Sequence, residues 1–166
     1  MAVKKILLLG EPVLRVRCKP VRDFSSRFMR TTIQNLSDTL DDFRSQHAFG
    51  RGIAAPQIGS DARIIFIRLN GLGALINPKI FRHGKRKIEL WDDCFSFPDI
   101  LVKVRRYAQI EITYQTETGA RKKIKARDGL SELLQHEIDH INGILAIDRA
   151  ISNRHIILRS QYRRSL

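Results

Sequence analysis

The stretch from Leu130 to Gly143 constrains the fold more than any other part of the chain. Leu130, Leu133, Leu134, Ile138 and Ile141 recur at helical spacing and call for burial. The same turns carry Gln135-His136-Glu137-Ile138-Asp139-His140. A helix that buries ionisable side chains must find partners for them in the surrounding structure. Positions i and i+4 share a face, so His136 and His140 can point at one metal ion. Glu137 then stands beside a water activated by that ion, placed as its general base. The plain alternative is a polar helix with solvated histidines. Asp128 is the expected N-cap and Gly143 the expected stop.

The rest of the chain supplies what would surround this helix. Met29, Ile33, Leu36, Leu40 and Phe43 form a second amphipathic stripe, opened by a cap at Ser25 or Ser26 and closed before Gly50. Extended runs follow at 62–69, 74–81, 86–90 and 99–104, and alternation on both sides of Thr118-Gly119 reads as a hairpin. The order predicts an α+β fold, with antiparallel strands packed around a central helix that carries the metal motif. With 166 residues and 43% hydrophobic content, one domain over 1–166 is expected. Ile6-Leu7-Leu8-Leu9 is too short for a membrane span or a signal peptide, so a cytoplasmic protein without a membrane partner is expected.

A catalytic site with two histidines needs a third ligand. No glutamate follows Glu137, and Ala146 stands where an extended protease motif would place a histidine, so neither zinc-protease pattern is complete. Cys18, Cys94, His47, His83, His155 and Asp148 remain. Cys94 is favoured among them, because it lies between two predicted strands in Trp91-Asp92-Asp93-Cys94-Phe95-Ser96, and a thiolate suits late first-row ions. The run Gly50-Arg51-Gly52-Ile53-Ala54-Ala55-Pro56-Gln57 offers close backbone approach and an amide donor; by itself it reads as a tight turn before a strand.

Together and in order, Gly50 to Gln57, Asp92 to Ser96 and Gln135 to His140 resemble the three motifs of the peptide deformylases, and the likeness extends over nearly the whole chain. The resemblance implies a metal-dependent hydrolase that removes the N-formyl group from the N-terminal methionine of nascent polypeptides. It implies one divalent ion, Fe²⁺ first, with Zn²⁺, Ni²⁺ or Co²⁺ as substitutes. Cys94, His136 and His140 become the metal ligands and Glu137 the general acid/base. Gln57 and the Phe95 backbone N–H become the oxyanion donors, and Gly50, Arg51 and Gly52 the residues that bind the substrate backbone.

The second motif departs from the family pattern Glu-Gly-Cys-Leu-Ser, with Asp92, Asp93 and Phe95 in place of Glu, Gly and Leu. An arginine that many members place shortly afterwards is missing from Pro98 to Leu101. Asp93 adds a side chain and a charge beside a ligand. The departures keep open a related metal amidase acting on another N-acyl substrate, and a non-catalytic, ribosome-binding member.

A net charge of +13 implies a polyanionic partner or a basic solvated surface. Ribosome association is expected through the basic surface or through the C-terminal segment with Arg154, Arg159, Arg163 and Arg164; the resemblance also implies it.

Overall fold

Short apolar runs between turn signals become the strands of two antiparallel sheets. In the computed structural model, which describes residues 2–162, the larger sheet contains β1 (Gly52–Ala54), β2 (Ile64–Ile67), β3 (Gly73–His83), β6 (Gln109–Gln115) and β7 (Arg121–Arg127). Their order is β1-β2-β3-β6-β7. The smaller sheet, in the order β4-β5-β8, contains β4 (Lys87–Asp93), β5 (Ile100–Tyr107) and β8 (Ile156–Leu158). Arg163 and Arg164 of the expected basic segment lie outside the described residues.

Two helices complete an α+β architecture. Helix α1 (Arg27–His47) starts at Ser26, whose Oγ accepts the Met29 N–H at 3.3 Å. Helix α2 (Asp128–His140) carries the histidine motif. Its predicted cap is corrected: the N-cap is Arg127, and Asp128 is the first helical residue, in the left-handed region at φ 46°. The Asp128 N–H is already bonded to Ala108 O at 2.8 Å, and its carboxylate pairs with Arg86 at 3.0 Å, so no side-chain cap forms.

Alternation along the strands decides which helix covers which face. Ile65, Ile67, Leu75, Ile110, Ile112 and Ala126 pack with Leu133, Leu134 and Ile138 of α2 and with Ile141 at its C-cap. Ile53, Ile64, Phe66, Ala74 and Ile76 pack on the opposite face with Met29, Ile33, Leu36 and Leu40 of α1. Strand β2 is therefore apolar without a gap, because both of its faces are buried. Helix α2 also packs against β5 of the smaller sheet, which places it between the sheets.

Gln135 fixes that placement. Its side chain donates to Tyr107 O at 2.9 Å and accepts from Tyr107 N at 3.0 Å, tying the helix to the end of β5. Beyond α2 the chain turns back under Arg15. A Cβ on Gly143, at φ 76°, would lie 2.4 Å from Arg15 O. Gly143→Ala is therefore expected to destabilise the fold by about 2–4 kcal/mol, read as a lower denaturation midpoint at unchanged slope.

Candidate active site

The three residues favoured as ligands reach one point from two elements. Cys94 follows β4, in the apolar cluster of Leu14, Phe97, Val102 and Leu145, while His136 and His140 project from successive turns of α2. Cys94 Sγ lies 3.2 Å from His140 Nε2, which lies 3.2 Å from His136 Nε2. The three ligand atoms all fall within 4.8 Å of one another. Metal–nitrogen bonds of ~2.0–2.1 Å in a tetrahedron require nitrogens roughly 3.3 Å apart, close to the separation seen. The donor set and its spacing therefore fit one late first-row divalent ion.

Among the described residues, no other group of three His, Cys, Asp or Glu side chains converges in this way. The rival candidates have other neighbours. Cys18 is buried in the core, where burial pushes its thiol up to about 11. His47 packs at a tilt against Phe43, His83 stacks on Tyr107, and His155 bonds Ser152 Oγ at 2.8 Å. Asp148 pairs with Arg15.

Behind the histidines runs a buried chain of alternating charge that the motifs did not disclose. His136 Nδ1 lies 3.0 Å from Asp92, whose Oδ2 accepts from Arg106 at 2.9 Å. Arg106, only 4% exposed, also donates to Asp139 at 2.6 Å, and Arg149 closes the chain on Asp139 at 2.8 Å. Burial pushes Asp92 upward, but His136 and Arg106 outweigh it and hold the carboxyl far below its usual range. An ionised Asp92 accepts the Nδ1 proton of His136 and leaves the Nε2 lone pair free. A signal for Arg106 did exist: in Ile100 to Tyr107 it falls on the same alternating face as Val102 and Val104.

Asp92→Asn removes that charge. It is expected to weaken metal affinity by about 10–100-fold, measured by competition with a chromophoric chelator.

The charges at the centre itself are set by the same surroundings. Burial lowers the pKa of His140 well below its ordinary value, so this imidazole is neutral. Burial also pushes Glu137, 3% exposed, up to about 7, and its Oε2 has no hydrogen-bond partner among the described residues. A divalent ion nearby acts in the opposite direction and favours the carboxylate.

Cys94, His136 and Glu137 line a cleft of about 540 Å³. Gln57 Oε1 accepts the Ala54 N–H at 2.9 Å, which turns its amide nitrogen toward Cys94 Sγ at 3.7 Å and Ser96 Oγ at 3.3 Å. The N-terminal segment braces this corner, with Leu7 N–H bonded to Gln57 O at 2.8 Å and Leu9 N–H to Ser96 O at 2.7 Å. Phe95 lines the cleft with its ring 4.0 Å from that of Phe43 on α1.

Gly50, Arg51 and Gly52 form the near wall. Arg51 is tied to Glu132 of α2 by an ion pair, so its guanidinium is engaged within the protein. Gly52 lies on β1, at the edge of the larger sheet, and a Cβ there would stand 2.8 Å from Glu137 Oε1 and 3.0 Å from Ile67 Cδ1. Gly52→Ala would displace the Glu137 carboxylate. A drop of about 10² in kcat/KM is expected, with the metal retained.

Asp93 is met by an arginine that no sequence signal revealed. Its Oδ2 accepts from Arg159 Nη2 at 2.9 Å, and Arg159 also donates to Pro98 O at 2.7 Å from the turn after β8. The added charge at the second motif is thus balanced at the mouth of the cleft.

Comparison with known proteins identifies the family. The family model described as polypeptide deformylase matches residues 3–155. The chain belongs to the polypeptide deformylase family. A peptide deformylase from Thermotoga maritima is 34% identical over 158 residues, covering 95% of this chain and 93% of that protein. One from a Picosynechococcus strain is 36% identical over 159 residues, covering 92% and 81%. Among solved structures, the Thermotoga maritima deformylase superposes with a TM-score of 0.83 at 34% identity, over 92% of this deformylase-family chain and all (100%) of that one. The deformylase of Synechococcus elongatus, solved in complex with actinonin, gives 0.81 at 32% identity, covering 93% and 86%.

Proposed function

We propose that this chain is a working peptide deformylase, in which Cys94, His136 and His140 hold one divalent ion, Fe²⁺ in the cell, and Glu137 transfers the proton. The observation that carries the reading is the convergence of those three donors beside a buried, unpartnered carboxylate in an open cleft. When bound, the ion supplies Lewis acidity toward oxygen.

The remaining steps belong to the protein. Glu137 takes a proton from the water that attacks the formyl carbon. As negative charge builds on the formyl oxygen, the Gln57 amide and the Phe95 backbone N–H donate to it; one such donor is typically worth about 10²–10³ in rate. Glu137 then gives its proton to the departing nitrogen as the C–N bond breaks, leaving formate and a free N-terminal amine. Gly52 at the free edge of β1, with Gly50 and Arg51 just before it, takes the peptide backbone as an added strand.

One domain over 1–166 carries this activity in the cytoplasm. Its substrate is a formylated nascent chain, and the basic surface or the C-terminal segment brings the enzyme to ribosomes. No helix among the described residues is long and apolar enough to cross a membrane.

Formate release from formyl-Met-Ala-Ser tests the reading, with protein purified without oxygen and reconstituted with Fe²⁺ or Ni²⁺. Release from the formyl peptide but not from its acetyl counterpart is the expected result. Absence of release with one ion bound per chain would overturn it and direct the search to other N-acyl substrates.

A further inference from the structure

The larger sheet is covered unevenly. On one face, α1 shields the rows that run through Ile53, Phe66 and Ala74 and through Ile64 and Ile76. The second row continues beyond α1 from Ile76 to half-buried Gln115 and exposed Arg121. The next row pairs Lys79, Thr113 and Lys123, and beyond it lie Lys125 and Arg127. Ile124 of β7 packs against the α2 core and Ala126 lies within it, so Arg121, Lys123, Lys125 and Arg127 project to the open side.

This half of the face is mostly cationic, with Glu111 as the acid in its rows. Lys79 and the four β7 cations are exposed, and none forms an ion pair with a carboxylate among the described residues. The acid in the same rows, Glu111, is shared with Arg82 at 3.9 Å. The β7 row extends about 20 Å at ~3.3 Å per residue. The ladder slips between Ile80 and Arg82, which makes Phe81 an extra residue, 46% exposed, with Lys123 Nζ 5.5 Å from its ring centre. A bulge of this kind re-aims a side chain out of the pleat.

We propose that this open face binds a single-stranded segment of RNA. An extended row of unpaired cations tracks a phosphate backbone, and an exposed ring beside it gives a base a surface on which to stack. A lipid surface would not need the ring to stand beside the cations. The choice of RNA among polyanions rests on the proposed reaction, whose substrate emerges from RNA-directed synthesis; the binding itself involves no residue of the catalytic cleft.

The test is fluorescence anisotropy of a labelled 12-nucleotide RNA, with the full chain and with phosphatidylserine vesicles as competitor. Lys123→Glu/Lys125→Glu should weaken RNA binding at least tenfold. Lys4→Glu/Lys5→Glu, an equal charge change at exposed residues beside α1, should weaken it less than threefold. Phe81→Ala should cost about fivefold or more. Formate release from a short free peptide should be the same for all these variants, which separates this inference from the catalytic reading. Equal losses for the two double variants would overturn it by showing general charge attraction alone. Displacement of the RNA by the vesicles would overturn it in favour of a membrane surface.

Discussion

Replacing Glu137 with alanine is expected to cut formate release from formyl-Met-Ala-Ser by about 10²–10⁴-fold and to leave one metal ion per chain. The separation follows from the geometry. The three ligand atoms come from Cys94, His136 and His140, whereas Glu137 stands beside them with one oxygen unpartnered. Loss of metal in the variant would make Glu137 a ligand and remove the proton-transfer role. Burial that raises the Glu137 pKa disfavours its ionised form in the folded protein. Glu137→Gln keeps the shape without that cost, so the metal-free variant should melt no lower than the parent, although it is inactive. A stable but inactive Glu137→Gln protein would show directly that this carboxylate is kept for chemistry.

Cys94→Ser should have the larger effect on the metal. Losing a partner outside the ligand set typically costs about 10–100-fold in affinity, and losing the thiolate itself should exceed that, at more than about 10². Anaerobic reconstitution with Co²⁺ gives a second readout, because the thiolate-to-metal absorption band of the parent should vanish in the serine variant. Unchanged affinity with the band retained would point to Cys18. That outcome conflicts with the position of Cys18 in the α2 core, where its N–H bonds Ile141 O at 2.9 Å. Cys18→Ser is accordingly expected to leave metal content alone.

Both helices and the β6–β7 hairpin were legible because their signals are periodic and long. The stripe from Met29 to Leu40 has one solution, and so does alternation around Thr118-Gly119. Strand β1 was missed because three residues, Gly52-Ile53-Ala54, contain no period to read, and its pairing with β2 depends on the fold. Strand β8 is equally short and lies at the sheet edge. The Asp128 cap failed because Arg86, remote in sequence, draws its carboxylate away.

Within the site, the chemistry-bearing residues were visible and their support was not. His136, His140 and Glu137 stand out by type and spacing, and Cys94 only by residue type and its place between two predicted strands. The line from Asp92 through Arg106 to Asp139 and Arg149 is assembled from β4, β5, α2 and the turn beyond it, and of its members only Arg106, on the alternating face of Val102 and Val104, carried a local signal of burial. Arg159 had no local signal of any kind. Its role at the mouth depends on the register that places Leu158 opposite Ile100 in β5.

The bracing of the cleft from both ends of the described chain bears on how the enzyme itself is made. Leu7 and Leu9 hold the Gln57 and Ser96 corner, while Arg159 sits across the mouth on Asp93, about 150 positions later. A partly synthesised molecule can form α1 and its side of the larger sheet, but it cannot shape the cleft until the stretch after α2 has been delivered. The wall of the cleft is therefore completed by a residue made after α2. Brief proteolysis near residue 156 should make the mouth fail before the core unfolds.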